Sequence, residues 1–181
     1  MGALIIVIFV CALIIFYSYN GLVVSKNKVK NAWSQIDVQL QRRFDLIPNL
    51  VESVKGYMEH EKSVLEKVTE LRTSWANAGS IAEKAELDNQ LSGALKTIMS
   101  VSENYPELKA NQQYLDLQNK LSQIEDELQY ARHIYNNEVT KYNNMVETVP
   151  SSMVAKLFAF DRAELFRIED ENKDNVDINI N

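Results

Sequence analysis

Hydrophobic positions along this chain fall into three regimes. Residues 1–25 carry no charged side chain, and residues 3–17 form an unbroken apolar run. Beyond them apolar side chains recur every three or four residues until about residue 149, and after residue 168 they become sparse. Continued to Val24, the first regime supplies the ~20 residues that cross a ~30 Å hydrocarbon layer as a helix. Tyr17 and Tyr19 stand where an aromatic interface belt would lie. A cleaved signal peptide would show a basic start and small residues before a cut site, whereas Met1-Gly2-Ala3 leads straight into Leu4, so residues 1–25 read as a transmembrane anchor. Lipidation has no seat there: Ile8-Phe9-Val10 precedes Cys11 without a small residue, and Ile6 stands where a myristoylation motif needs Ser or Thr.

In the second regime, Ile36, Leu40, Phe44, Ile47, Val51, Val54 and Met58 follow one another at steps of three or four, the signature of an apolar stripe on a helix. Pro48 removes an amide donor and crowds the preceding turn, so the chain kinks or reverses near residues 45–48. Val64, Val68, Leu71 and Trp75 carry the stripe to Asn77-Ala78-Gly79-Ser80, a compact cluster of turn formers. Ser80 with Glu83 is a capping-box pattern that opens a helix bearing Ile81, Leu87, Leu91, Leu95, Ile98 and Val101. Pro106 and Glu107 suit the first turn of another helix. Its seam runs through Tyr114, Leu117, Leu121, Ile124, Leu128, Ala131 and Tyr135 and resumes at Tyr142 and Met145, with Glu138 breaking the register.

The expected fold is therefore all-α: one N-terminal transmembrane helix, then an antiparallel bundle of long helices at residues 26–149. It has four helices if every turn reverses the chain, or two long kinked helices if only the turn near Gly79 does. In both layouts the last long helix ends near the bilayer. Residues 150–168 form a short amphipathic segment, and the acidic residues 169–181 are expected to be disordered.

Composition narrows the function. The chain of 181 residues has five Gly and three Pro, far below the average of roughly 12% for the two together, so its elements must be long. A net charge of −6 lacks the basic footprint that nucleic-acid backbones require. A single Cys excludes an intrachain disulfide. The span is flanked by Lys26, Lys28 and Lys30 on its C-terminal side, so the positive-inside bias puts the helical domain in the cytoplasm and the N-terminus outside.

Residues with catalytic or metal-binding spacing are few. Tyr57 and Tyr130 stand three residues before His60 and His133, where a di-metal bundle would need Glu, and His60-Glu61 lacks the second histidine of a zinc helix. No catalytic residue, cofactor or metal site is expected. Asp37, Arg42, Arg43 and Asp45 crowd charge onto an apolar face; they read either as a surface ion pair beside a kink or as a register-fixing or partner-docking cluster. Met153, Val154, Lys156, Leu157, Phe158 and Phe160 combine apolar bulk with charge supplied by Lys156, Arg162 and Arg167, which suits a membrane interface; the rival reading is a cap on the open end of the bundle. Tyr135-Asn136 and Tyr142-Asn143 lie one heptad apart, where phenols and amides either pack in a semi-buried layer or hold a ligand.

Several blocks together resemble a known family: Tyr19-Asn20-Gly21-Leu22-Val23, Asn31-Ala32-Trp33-Ser34-Gln35-Ile36-Asp37-Val38-Gln39-Leu40, Arg42-Arg43, Asp45-Leu46-Ile47-Pro48-Asn49-Leu50-Val51, His60-Glu61, Tyr105-Pro106-Glu107-Leu108-Lys109-Ala110-Asn111 and the two Tyr-Asn pairs. The chain resembles the LemA family over roughly residues 16–166. The resemblance implies a bacterial membrane protein with a short outer N-terminal end, one span, a helical-bundle domain and no known catalytic activity; relatives in magnetosome membranes hint at membrane organisation. The expected function is a non-enzymatic scaffold, anchored in the lipid bilayer through residues 1–25, that binds a membrane protein or forms a homo-oligomer. The alternative is a ligand-sensing helical bundle at the membrane.

Overall fold

With so few turn formers, the chain spends most of its length in helix. A computed structural model describes residues 1–58 and 61–166; His60, Arg167 and the acidic tail at 169–181 lie outside the described residues. Among the described residues there are seven helices and no strand: α1 (Gly2–Asp45), α2 (Ile47–Lys55), α3 (Lys62–Asn77), α4 (Ile81–Ser102), α5 (Pro106–Lys109), α6 (Gln112–Glu147) and α7 (Ser151–Leu157). The all-α expectation holds. The chain divides into two units, residues 1–43 with 120–165, and residues 44–119 with Phe166.

In the first unit, the N-terminal part of α1 is bare. Leu4, Ile5, Phe9 and Phe16 are each more than half exposed, and the apolar window is not buried by the rest of the protein. A soluble core helix would hide such a face, so α1 carries a candidate membrane span. From Leu22 onward the helix turns a different stripe inward: Leu22, Ser25, Val29, Ala32, Ile36, Leu40 and Arg43 are all buried. Gly21 lies against Met145, Trp33 against Tyr135 and Arg43 against Glu125, so α1 and α6 run antiparallel. That register sets small Ser25 and Ala32 level with Tyr142 and Tyr135, large side chains that fill the space the small ones leave. The seam of α6 also continues where a break was expected. Val139 is fully buried and takes the inward position, while Glu138 stands beside it and pairs with Lys141 at 2.7 Å.

Gly21 illustrates how close the helices come. A Cβ built there would meet the terminal methyl of Met145 at 2.8 Å. Met145 is flexible and its end can move, while Ala restores about 0.5–1 kcal/mol of helix propensity. Gly21→Ala should therefore leave thermal stability unchanged or slightly raised, whereas Gly21→Leu should cost about 1–3 kcal/mol by overpacking, measured by thermal unfolding of the detergent-solubilised protein.

In the second unit, Pro48 sits in the first turn of α2, where its missing amide does no harm. Leu46 keeps right-handed helical angles and its carbonyl accepts from Leu50 N–H at 3.0 Å, so Pro48 marks a kink in a continuing helical path. The chain instead leaves the helix at Gly56, a break the stripe pattern does not anticipate. This break resets the phase: Leu65, not Val64, joins Val68, Leu71 and Trp75 in the core. The α3–α4 turn forms as expected, with Glu83 N–H donating to Ser80 Oγ at 3.1 Å and Gly79 N–H donating to Glu83 Oε2 at 3.0 Å. The inward residues of α4 are Ala85, Asp88, Leu91, Leu95, Ile98 and Ser102, so Ile81, Leu87 and Val101 are set aside from the buried face. Pro106 opens only the one-turn α5. The long helix starts afresh at Asn111, whose Oδ1 accepts from Gln113 N–H at 2.9 Å and Tyr114 N–H at 3.2 Å.

Candidate interaction surfaces of the first unit

Three groups of residues in the first unit combine exposure with unusual chemistry. In the charged group predicted around Asp37 to Asp45, both arginines reach carboxylates of α6. Arg43 is only 4% exposed, and its Nη2 lies 2.8 Å from Glu125 Oε2; Arg132, equally buried, lies 3.7 Å from Glu125 Oε1. One carboxylate thus serves two buried guanidiniums. Arg42 is exposed and reaches Glu127 at 3.6 Å. Asp37 is half-buried and Asp45 exposed. Local spacing on α1 revealed the cations but not Glu125, Glu127 or Arg132, which enter through helix pairing.

Beside this group lies an open groove of about 530 Å3 lined by Ser34, Gln35, Val38, Gln39, Glu127, Tyr130 and Ala131. Val38 is 52% exposed and Tyr130 69%. Gln39, on the same α1 face, is half-buried at the groove floor.

The third group lies at the C-terminal end of α6. Helix α7 docks through Val154 and Ala155, both buried, so Val154, grouped by sequence with the interface candidates, is part of the protein core instead. Met153 and Leu157, four residues apart, form the opposite face and stay exposed together with Lys156. Helical structure ends sooner than the pattern suggested, at Leu157. Ala159 adopts φ 53°, and Phe160 N–H donates to Ala155 O at 2.9 Å, closing a Schellman-type cap in which Ala occupies the site usual for Gly. The sequence holds no turn former there, so nothing local announced it. The turn carries Phe158 and Phe160 back onto Tyr19, at ring-centroid distances of 4.8 and 5.8 Å, and Lys26 Nζ sits 5.5 Å over the Phe160 ring.

Residues 161–164 then form a strap held by the Tyr-Asn pairs. Tyr142 Oη donates to Asp161 O at 2.8 Å and Tyr135 Oη to Glu164 O at 2.8 Å. Asn143 donates from Nδ2 to Ala163 O and accepts from Ala163 N–H at Oδ1, each at 2.9 Å. The phenols and amide therefore recognise backbone rather than one another. Burial first, and the Glu164 carboxylate second, raises the Tyr135 phenol above its ordinary value; burial and then Asp161 does the same for Tyr142. Folding thus favours the protonated phenols. Their contribution is complete below the ordinary phenol pKa of ~10 and is lost as pH climbs from there through the raised folded values. Protease cleavage within 161–165 should accordingly stay slow at neutral pH and accelerate above about pH 10, together with the rise of phenolate absorbance.

Among the described residues, no three His, Cys, Asp or Glu side chains gather where they would hold a metal ion, and His133 is exposed.

The sequence is similar to several known proteins. The family model described as the LemA family matches residues 32–180. Protein LemA of Metamycoplasma hominis is 27% identical over 178 residues, covering 95% of this chain and 81% of that protein. Magnetosome protein MamQ 2 of Paramagnetospirillum magneticum is 26% identical, covering 92% of this chain and 70% of its own length. Magnetosome protein MamQ of Magnetospirillum gryphiswaldense is 24% identical, with 82% of this chain and 64% of that protein covered. None of these names is that of an enzyme. With a bare apolar N-terminal helix, a helical domain and a family match over most of its length, the chain belongs to the LemA family.

Proposed function

We propose that this protein is a membrane-anchored, non-enzymatic helical scaffold that acts by binding another membrane protein or a second copy of itself. Residues 1–25 hold it in a bacterial membrane with the N-terminus outside. Exposed Lys26, Lys28 and Lys30 favour a cytoplasmic place for the helical domain. The observation that carries the binding half is the open α1/α6 groove, where Val38 and Tyr130 stand exposed on facing helices. Exposed apolar and aromatic surface in an open groove between two helices is what a partner helix covers on docking. The groove is open rather than enclosed, which suits a protein side chain better than a small ligand and so favours scaffold over sensor. Relatives named as magnetosome proteins are in keeping with this reading.

Full-length protein solubilised in mild detergent should run as an oligomer in light scattering, or recover a specific membrane protein in pull-downs, and Val38→Glu with Tyr130→Glu should abolish the association. A strict monomer that recovers nothing above background would sink the proposal. A metabolite that reproducibly raised the melting temperature would favour the sensor instead.

A further inference from the structure

We infer that α7 and the turn after it form a second membrane contact, an interfacial foot that lies in the headgroup layer of the bilayer holding α1. The occupant of the exposed Met153/Leu157 face is thus lipid of that same membrane. The inference shares with the proposed function only the anchor; it does not depend on any protein partner.

Depth supplies the first argument. A helix rises 1.5 Å per residue, so a hydrocarbon layer of ~30 Å entered at Ala3 is left near Leu22. Leu22 is also the first fully buried residue of α1, so lipid cover gives way there to protein cover. Tyr19 lies three residues inside that limit, and it is Tyr19 that Phe158 and Phe160 pack against. Those ring contacts fix the end of α7 to the level where the span meets the headgroups. The surface at that level is therefore continuous with the lipid-facing surface of α1.

Composition supplies the second. Met153 is 72% exposed, Leu157 69%, Phe158 48% and the neighbouring Val149 78%, although Val154 and Ala155 of the same helix are buried. Apolar side chains thus point away from the protein at the level of the bilayer surface. Around them stand cations suited to lipid phosphates: exposed Lys156 on α7 and Lys26 and Lys28 on α1, with Arg162 held by Glu147 at 2.9 Å. The acids within residues 147–165 are Glu147, already paired, and the exposed Asp161 and Glu164 of the strap, whose carbonyls are turned inward to Tyr142 and Tyr135.

Backbone strain supplies the third. Ala159 takes a left-handed φ of 53°, a conformation that costs a residue with a Cβ about 1–2 kcal/mol. It is held there by the ring contacts that tie Phe158 and Phe160 to Tyr19. The strained turn is what keeps α7 at the membrane end of the unit.

The test uses full-length protein in nanodiscs of phosphatidylcholine with phosphatidylglycerol. A polarity-sensitive fluorophore is attached to Cys11, or, in a Cys11→Ser background, to Met153→Cys, Leu157→Cys, Lys156→Cys or Tyr130→Cys. Cys11 reports the span independently. Nitroxide placed at the lipid headgroups should quench positions 153 and 157 several-fold more strongly than position 130. Quenching at 156 should fall toward the position-130 level when Met153→Glu and Leu157→Glu are introduced, while tryptophan emission and circular dichroism show the fold retained. If Cys11 is quenched by chain nitroxides but 153 and 157 behave like 130, the foot does not exist and the anchor stands. If 153 and 157 are shielded from water yet unquenched by lipid nitroxide, another protein copy covers them, and the inference is equally overturned.

Discussion

Replacing Glu125 by Ala is expected to destabilise the first unit by about 2–4 kcal/mol, because it leaves two buried guanidiniums, Arg43 and Arg132, without the carboxylate between them. Urea or thermal unfolding of the detergent-solubilised protein, followed by tryptophan emission and by amide exchange along α1 and α6, reads the effect; Trp33 packs edge-on against Tyr135 at 5.8 Å in the same unit. The loss comes from removing the carboxylate that two buried guanidiniums share rather than from a strong net attraction. Replacing all three residues together, with Arg43→Met, Glu125→Leu and Arg132→Leu, should therefore recover most of it. If the triple substitution unfolds the unit further than Glu125→Ala alone, the ion group contributes net stability and this account of it is wrong.

The second large effect falls in the other unit. Trp75 stacks on Phe44 with ring centroids 5.1 Å apart and planes at 19°, and Lys84 Nζ lies 5.1 Å from the Trp75 ring centre. Trp75→Ala should cost about 3–5 kcal/mol through cavity formation, with a smaller loss for Trp75→Phe. Amide exchange should quicken across residues 44–119 and much less across the α1/α6 pairing of the first unit. Uniform acceleration through both units would mean that they do not unfold separately.

Several elements were legible in sequence because their causes are local. A span needs only length and an absence of charge, the α4 start needs only Ser80 and Glu83, and the α6 seam needs only its three-and-four spacing. The helix break at Gly56 was missed because a single glycine is weak punctuation, and the missed break shifted the expected core position from Leu65 to Val64. Glu125 was invisible for another reason. Its partnership with Arg43 depends on how α1 and α6 align, which no periodicity encodes. The Tyr-Asn pairs were noticed, but their role required knowing that residues 161–164 return to lie against them. The turn at Ala159 broke a local rule without a local cue, and such departures are where function is worth seeking.

The central claim is that this protein works by association at the membrane that anchors it, and photo-crosslinking in native membranes tests it without removing the bilayer. A photoreactive amino acid replaces Val38 or Tyr130 at the groove, with exposed Lys109 of the other unit as the control position. The account predicts discrete crosslinked adducts from positions 38 and 130, to a second copy or one membrane protein, and little from 109. Positions 38 and 130 giving no more adduct than 109, in membranes where the protein is intact and abundant, would contradict it.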